Sequence, residues 1–152
     1  MAQTTGAKSM RNVKLEFITG STWNDISGVA NAVAVSGGDR ITGEAFTADG
    51  DRPIVLFGKL NPLDVECKIV YSEVSVEAFT LLEPLYVAGT NLKLRWAPGG
   101  NATGNYRYVT DSCNITAMGY PGGEVQDGAP ILLDLSVKTG QVTWAAITSI
   151  TV

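Results

Sequence analysis

The chain has 152 residues, with 11 Lys and Arg against 15 Asp and Glu for a net charge of −4, and it contains no histidine. That zero excludes Ser-His-Asp and Cys-His nucleophiles, zinc sites that rest on imidazole ligands, and imidazole pH switches. Charged residues are only 17%, while 39 residues are Val, Thr or Ile, so one domain rich in strands is expected, with a Thr-, Ser-, Asn- and Gly-rich surface suited to a chain that works assembled.

In chain order, Met1 to Met10 has no periodicity and reads as a flexible arm ahead of a domain over residues 11–152. It lacks the apolar run of a secretory signal, so synthesis in a cytoplasm is expected. Val13, Leu15 and Phe17 alternate with Lys14 and Glu16 as in a half-buried strand. Ala30 to Val35 is a weaker strand candidate. Gly37 to Arg52 follows, a stretch of about sixteen residues that reads as a loop; loops this long in a compact domain are usually functional or disordered. It carries Asp39, Arg40, Glu44, Asp49, Asp51 and Arg52 around the apolar pair Ile41 and Phe46. Pro53 to Leu60 is another weak strand candidate, and Val65, Cys67, Ile69 and Tyr71 form a clear one.

The period then changes. From Ser72 to Val87 the apolar residues Val76, Phe79, Leu82 and Tyr86 recur every three or four positions, which predicts one helix whose stripe packs on a sheet. Ser72 or Ser75 would cap its start and Gly89 its end, and Pro84 would shorten or kink the last turn. Leu92, Leu94 and Trp96 form the next alternating strand, Tyr106 to Thr116 and Val142 to Ile150 are weaker, and Ile131, Leu133, Leu135 and Val137 are strong. Glycine turn clusters separate them: Gly37-Gly38, Asp49-Gly50, Pro98-Gly99-Gly100, Pro121-Gly122-Gly123, Asp127-Gly128 and Thr139-Gly140. Eight or so short strands so punctuated predict a mainly β sandwich or barrel-like single domain with one flanking α-helix.

Chemical motifs are few. Asp49-Gly50-Asp51 resembles a fragment of a calcium loop but lacks the later ligands, and reads as a turn with exposed carboxylates. The Asn101 and Asn114 sequons read as chance matches. Nothing selects a catalytic pair among fifteen acids, so catalytic, cofactor and metal residues are all expected to be none. Tyr106, Tyr108 and Tyr120 could form a sugar platform, although packing is the more common use of such residues. Cys67 and Cys113 fall on inward strand faces and read as buried thiols. No basic cluster supports tight nucleic-acid binding, and no apolar run approaches the length of a membrane span.

The order of elements carries more than any one of them. Trp23-Asn-Asp-Ile-Ser-Gly-Val29 precedes a strand; Ser36-Gly-Gly-Asp-Arg40 and Gly43-Glu-Ala-Phe-Thr-Ala-Asp-Gly-Asp51 run into a Pro53-led strand; a lone helix follows, then Pro121-Gly-Gly-Glu124 and Ile131 to Lys138. Across roughly Val13 to Ile147 this order resembles the tail tube proteins of long-tailed bacteriophages. The resemblance implies a structural virion protein of the tail, not an enzyme, whose hexameric rings stack into a hollow tube, each subunit lending four strands to a common β-barrel. It implies as partners the chain itself, a tail terminator and distal tail proteins, with the tape-measure protein and duplex DNA passing loosely through the channel; from the net negative charge, acids are expected to outnumber bases on the channel face. It also implies that the Met1 to Met10 arm and the Gly37 to Arg52 loop reach the adjacent ring; apolar residues framed by charge in that loop then make Ile41 and Phe46 the expected apolar centre of ring stacking, with Arg40, Arg52, Asp49 and Asp51 at its rim. A contractile secretion-system tube would share that fold. A capsid decoration protein or a carbohydrate-binding β-sandwich module are the readings from other classes.

Overall fold

The computed structural model describes residues 2–126 and 128–148. Eleven strands are found among them: β1 (Lys14–Ile18), β2 (Asn24–Asp25), β3 (Ala30–Gly37), β4 (Arg40–Ala45), β5 (Ile54–Leu60), β6 (Leu63–Val70), β7 (Lys93–Ala97), β8 (Tyr106–Thr110), β9 (Asn114–Met118), β10 (Leu132–Thr139) and β11 (Val142–Ala146), with one helix, α1 (Ala78–Ala88), between β6 and β7. They build a five-stranded sheet in the order β11-β8-β7-β1-β2, a four-stranded sheet in the order β3-β6-β10-β9, and a separate two-stranded ribbon, β4-β5. The paired strands within each sheet are antiparallel.

Period-two alternation sets the core. On one sheet Leu15 faces Trp96 and Phe17 faces Leu94; on the other Leu135 faces Cys67 and Val137 faces Val65. These residues are all buried in a single cluster between the sheets, as expected where each strand turns every second side chain inward. The expected strand from Tyr106 to Thr116 is in fact two. Asp111 and Ser112 carry the chain from one sheet to the other, and an isolated bridge between Leu92 and Cys113 pins the crossing. Buried Thr110 is satisfied there, because its hydroxyl accepts the Leu94 N–H at 3.0 Å. The last strand ends at Ala146, short of the expected Ile150; residues from Ser149 onward lie outside the described residues, as does Asp127 of the expected Asp127-Gly128 turn.

The helix begins six residues later than its periodicity suggested. Ser72 accepts the Val74 N–H through its hydroxyl at 3.2 Å, and Val74 O accepts the Glu77 N–H at 3.1 Å, so this segment is a turn. Val76 therefore stands outside the helix and is exposed, which corrects its placement on the packing stripe. Neither serine caps the helix: Glu77 occupies the cap position without a side-chain bond, and the Thr80 hydroxyl instead donates to Glu77 O and Val74 O. Leu82 and Ala78 are fully buried, and Phe79 and Tyr86 pack against the core at its margin. Pro84 lies within the helix, which continues four residues beyond it. Gly89, left-handed at φ 67°, closes the C-terminus by donating its N–H to Leu85 O and Tyr86 O.

Both cysteines are free and buried, and burial pushes the Cys67 thiol from its ordinary 9.0 up to about 12. With the folded value raised, the unfolded chain loses this proton first as pH increases. Stability is intact below pH 9 in this respect and falls between pH 9 and 12. Melting temperatures taken from about pH 8 to about pH 11 should decline, and Cys67→Val should flatten part of that decline.

Candidate functional site

The long early loop is not a loop. Residues 40–45 form β4, and β4 pairs with β5 through Glu44 opposite Val55, Gly43 opposite Leu56 and Thr42 opposite Phe57. β3 passes into β4 through Gly37, Gly38 and Asp39, and β5 into β6 through Asn61 and Pro62, so the ribbon prolongs the β3-β6 pair beyond the sandwich. Hydrogen bonds continue across the junction: Gly38 N–H donates to Pro62 O at 3.1 Å and Asn61 N–H to Asp39 O at 2.9 Å. Gly37 and Gly38 hold φ of 81° and 76°, and a Cβ on Gly37 would stand 2.8 Å from Pro62 O. Only glycine fits this bend.

Every residue of β4 and β5 is exposed. On β5 the run Ile54-Val55-Leu56-Phe57 puts apolar side chains on both faces of the ribbon, the pattern of a strand covered on both sides. Within the chain nothing covers either face among the described residues. Phe57 and Phe46 are each 71% exposed and Leu56 69%, far outside the habit of such residues in a free monomer.

The residues singled out from sequence fall along this ribbon in an order of their own. Ile41 lies at its base beside Gly58, and Phe46 follows the far end of β4, so the two are not one apolar centre. Arg40 is drawn into the ribbon, donating to Gly58 O at 2.9 Å. Asp39 accepts from Asn61 through its carbonyl, and Glu44 lies mid-strand. Asp49, Asp51 and Arg52 surround the tip, where Gly50 N–H bonds Thr47 O at 3.4 Å. Ile54, Val55, Leu56, Phe57 and Leu60 were missed as site residues; their signal was the unbroken apolar run, which reads as a strand without saying that its cover lies outside the chain.

Two further surfaces bear on the site. The outward face of the four-stranded sheet carries Asp64, Glu66 and Asp134 against Lys68 and Lys138, aligned across β6 and β10. Lys68 pairs with Asp134 at 3.2 Å and Lys138 with Asp64 at 3.8 Å, and Ala32, Ala34 and Ser36 extend this face along β3. On the outward face of the five-stranded sheet, Glu16 and Arg95 form an ion pair of 2.7 Å with both side chains nearly buried. Asn101 donates to the same carboxylate at 3.3 Å, and the Trp23 ring lies 4.1 Å from the Arg95 guanidinium carbon. Alternation placed Glu16 on the solvent side of its strand; the cover from Trp23, Arg95 and Asn101 is what buries it. The three tyrosines do not form one platform, since Tyr106 and Tyr108 lie on β8 while Tyr120 packs against Phe79 of the helix and donates to Glu83. Among the described residues no three Cys, Asp or Glu gather as a metal ion requires, and no helix is long and apolar enough to cross a membrane.

No protein-family model matches the sequence, and no curated protein matches it. Solved structures do. The SPP1 tail tube, determined by solid-state NMR and electron cryomicroscopy, superposes with a TM-score of 0.67 at 14% identity, covering 91% of this chain and 79% of that one. The chain has the tail-tube fold. A chain of the sheath-tube complex of an extracellular contractile injection system in its extended state gives a TM-score of 0.65 at 9% identity, covering 94% of each chain. The tail of an empty GTA particle, refined helically with C6 symmetry, gives 0.62 at 15%, covering 95% of this chain and all of that one. A tail-tube fold shared at such low identity is a likeness of architecture.

Proposed function

We propose that this chain is a structural tail-tube subunit: copies close into rings, and rings stack into a hollow conduit. One observation carries this reading, the β4-β5 ribbon, an apolar strand pair exposed on both faces in a chain of tail-tube fold. The ribbon gains its cover when it lies against other copies, and the residues Ile41, Phe46, Leu56 and Phe57 then become contacts between rings.

The four-stranded sheet suits the channel wall. Six copies of four strands give about 24, and at about 4.8 Å per strand with ordinary tilt the barrel has a backbone diameter of about 45 Å. Joining the sheets edge to edge would also pair the free edges of β3 and β9, which otherwise invite uncontrolled association. The outward face of this sheet, with three carboxylates against two lysines, would then line the channel and repel phosphate, so that duplex DNA and the tape-measure protein pass without sticking. A tail terminator would cap the column.

Electron microscopy of the purified chain tests the reading. Rings or tubes with an axial channel are expected. A protein that stays solitary at every concentration reached overturns it.

A further inference from the structure

A tail-tube subunit must land its ribbon somewhere on a neighbouring copy, and a landing place on this chain has meaning only if that reading of its function holds. Among the described residues a second apolar surface stands unpartnered. Tyr106 and Trp144 place their rings 4.9 Å apart, on β8 and the edge strand β11, and they are 52% and 61% exposed. Beside them Tyr108 stacks on Trp96 at 5.8 Å, which extends the shelf into the core and fixes its inner side.

The shelf lies away from the base of the ribbon. Gly37, Leu63 and Thr139 sit level across β3, β6 and β10, at the end where the ribbon leaves. The turn after Thr139 delivers the chain to Val142, opposite Thr110. Tyr106 and Ala146 are the pair at the other end of β8 and β11. A copy with a projecting apolar ribbon at one end and an apolar shelf toward the other makes a head-to-tail contact, which propagates without closing.

Charge agrees with this. The ribbon tip holds Asp49 and Asp51 against Arg52 alone. Beside the shelf the spare charge is positive. Arg107 alternates with the two tyrosines on β8 and so lies on the other face, beside the Glu16–Arg95 pair and 3.4 Å from Asn101 Oδ1. Lys8 lies on the shelf side, in a hollow it shares with Asn105, Tyr106 and Tyr108, and donates to Asn105 Oδ1 at 3.4 Å. An incoming carboxylate relieves this excess.

We infer that the Tyr106–Trp144 shelf receives the tip of the β4-β5 ribbon of a second copy, Phe46 against the rings and Asp49 or Asp51 toward Lys8. The contact is directional, so a copy with a damaged shelf can still dock its own ribbon but cannot be docked upon.

The experiment uses the full chain with Trp144→Ala and, separately, Tyr106→Ala. Both positions are open to solvent, and having two variants leaves one to decide if the other melts early. Each variant alone should give tubes at least tenfold shorter than the parent chain under electron microscopy. Added at one part in ten to the parent, each should cap growing ends and shorten the parent tubes severalfold, which a merely misfolded chain would not do. Variant tubes of parental length, or parent tubes unchanged by the additive, would overturn the shelf. Those results leave the tail-tube reading standing, whereas a parent that never assembles removes that reading itself.

Discussion

A chain carrying Leu56→Asp and Phe57→Asp should melt within about 2 °C of the parent and form no tubes. Both residues are about 70% exposed and belong to no part of the buried cluster, so surface substitution there should shift folding by no more than about 0.5 kcal/mol. In the tube proposed above the same side chains would be covered by other copies. Burying a Leu or Phe fully is worth about 1.5–3 kcal/mol each, and aspartate in its place adds the cost of an unpaired charge in a closed contact. Two such losses raise the concentration needed for assembly by more than about a hundredfold, since about 1.4 kcal/mol corresponds to tenfold. They lie on opposite faces of the ribbon, so both covers are tested. Thermal unfolding followed by circular dichroism gives the first half of the result, and sedimentation with electron microscopy the second. Tubes at parental yield would remove the ribbon from the assembly contacts.

The largest effect on the subunit itself should come from Glu16→Ala. The substitution leaves Arg95 nearly buried without its partner, Arg107 beside it, and Asn101 without its acceptor. Removing one member of a buried pair costs about 3–5 kcal/mol, because the remaining charge stays desolvated and uncompensated. For a chain of this size that lowers the melting temperature by about 10 °C. Replacing an exposed pair such as Lys68 and Asp134 should cost less than about 1 kcal/mol. The measurement is the midpoint of thermal or urea unfolding for Glu16→Ala beside Asp134→Ala. Equal midpoints would mean that the Glu16–Arg95 pair contributes no more than a surface contact.

Much of the sandwich is legible in the order of residues. Alternation at Leu15 and Phe17, at Cys67 and Ile69, and at Leu133, Leu135 and Val137 names the inner face directly, because a strand puts every second side chain on one side. Gly89 likewise marks the end of the helix, since a left-handed residue is needed there. Val76 misleads because three-and-four spacing says which residues share a face of a helix if the helix exists at that point. It cannot say that hydrogen bonds among Ser72, Val74 and Glu77 hold a turn there instead. The Gly37 to Arg52 segment misleads for a related reason. Its polar and glycine-rich composition resembles a loop, and only pairing with β5, the next strand along, turns Arg40 to Ala45 into a strand.

Sequence alone therefore determined that imidazole chemistry is not available to these 152 residues, and it determined the period of the strands and the apolar character of Ile54 to Phe57, which are local properties of adjoining residues. Tertiary structure alone decided that this apolar run stands outside the core, that Glu16 is buried, and that Tyr106 meets Trp144 from a distant stretch of chain. Those outcomes depend on which segments pack together, and burial is a property of what surrounds a side chain rather than of the side chain itself.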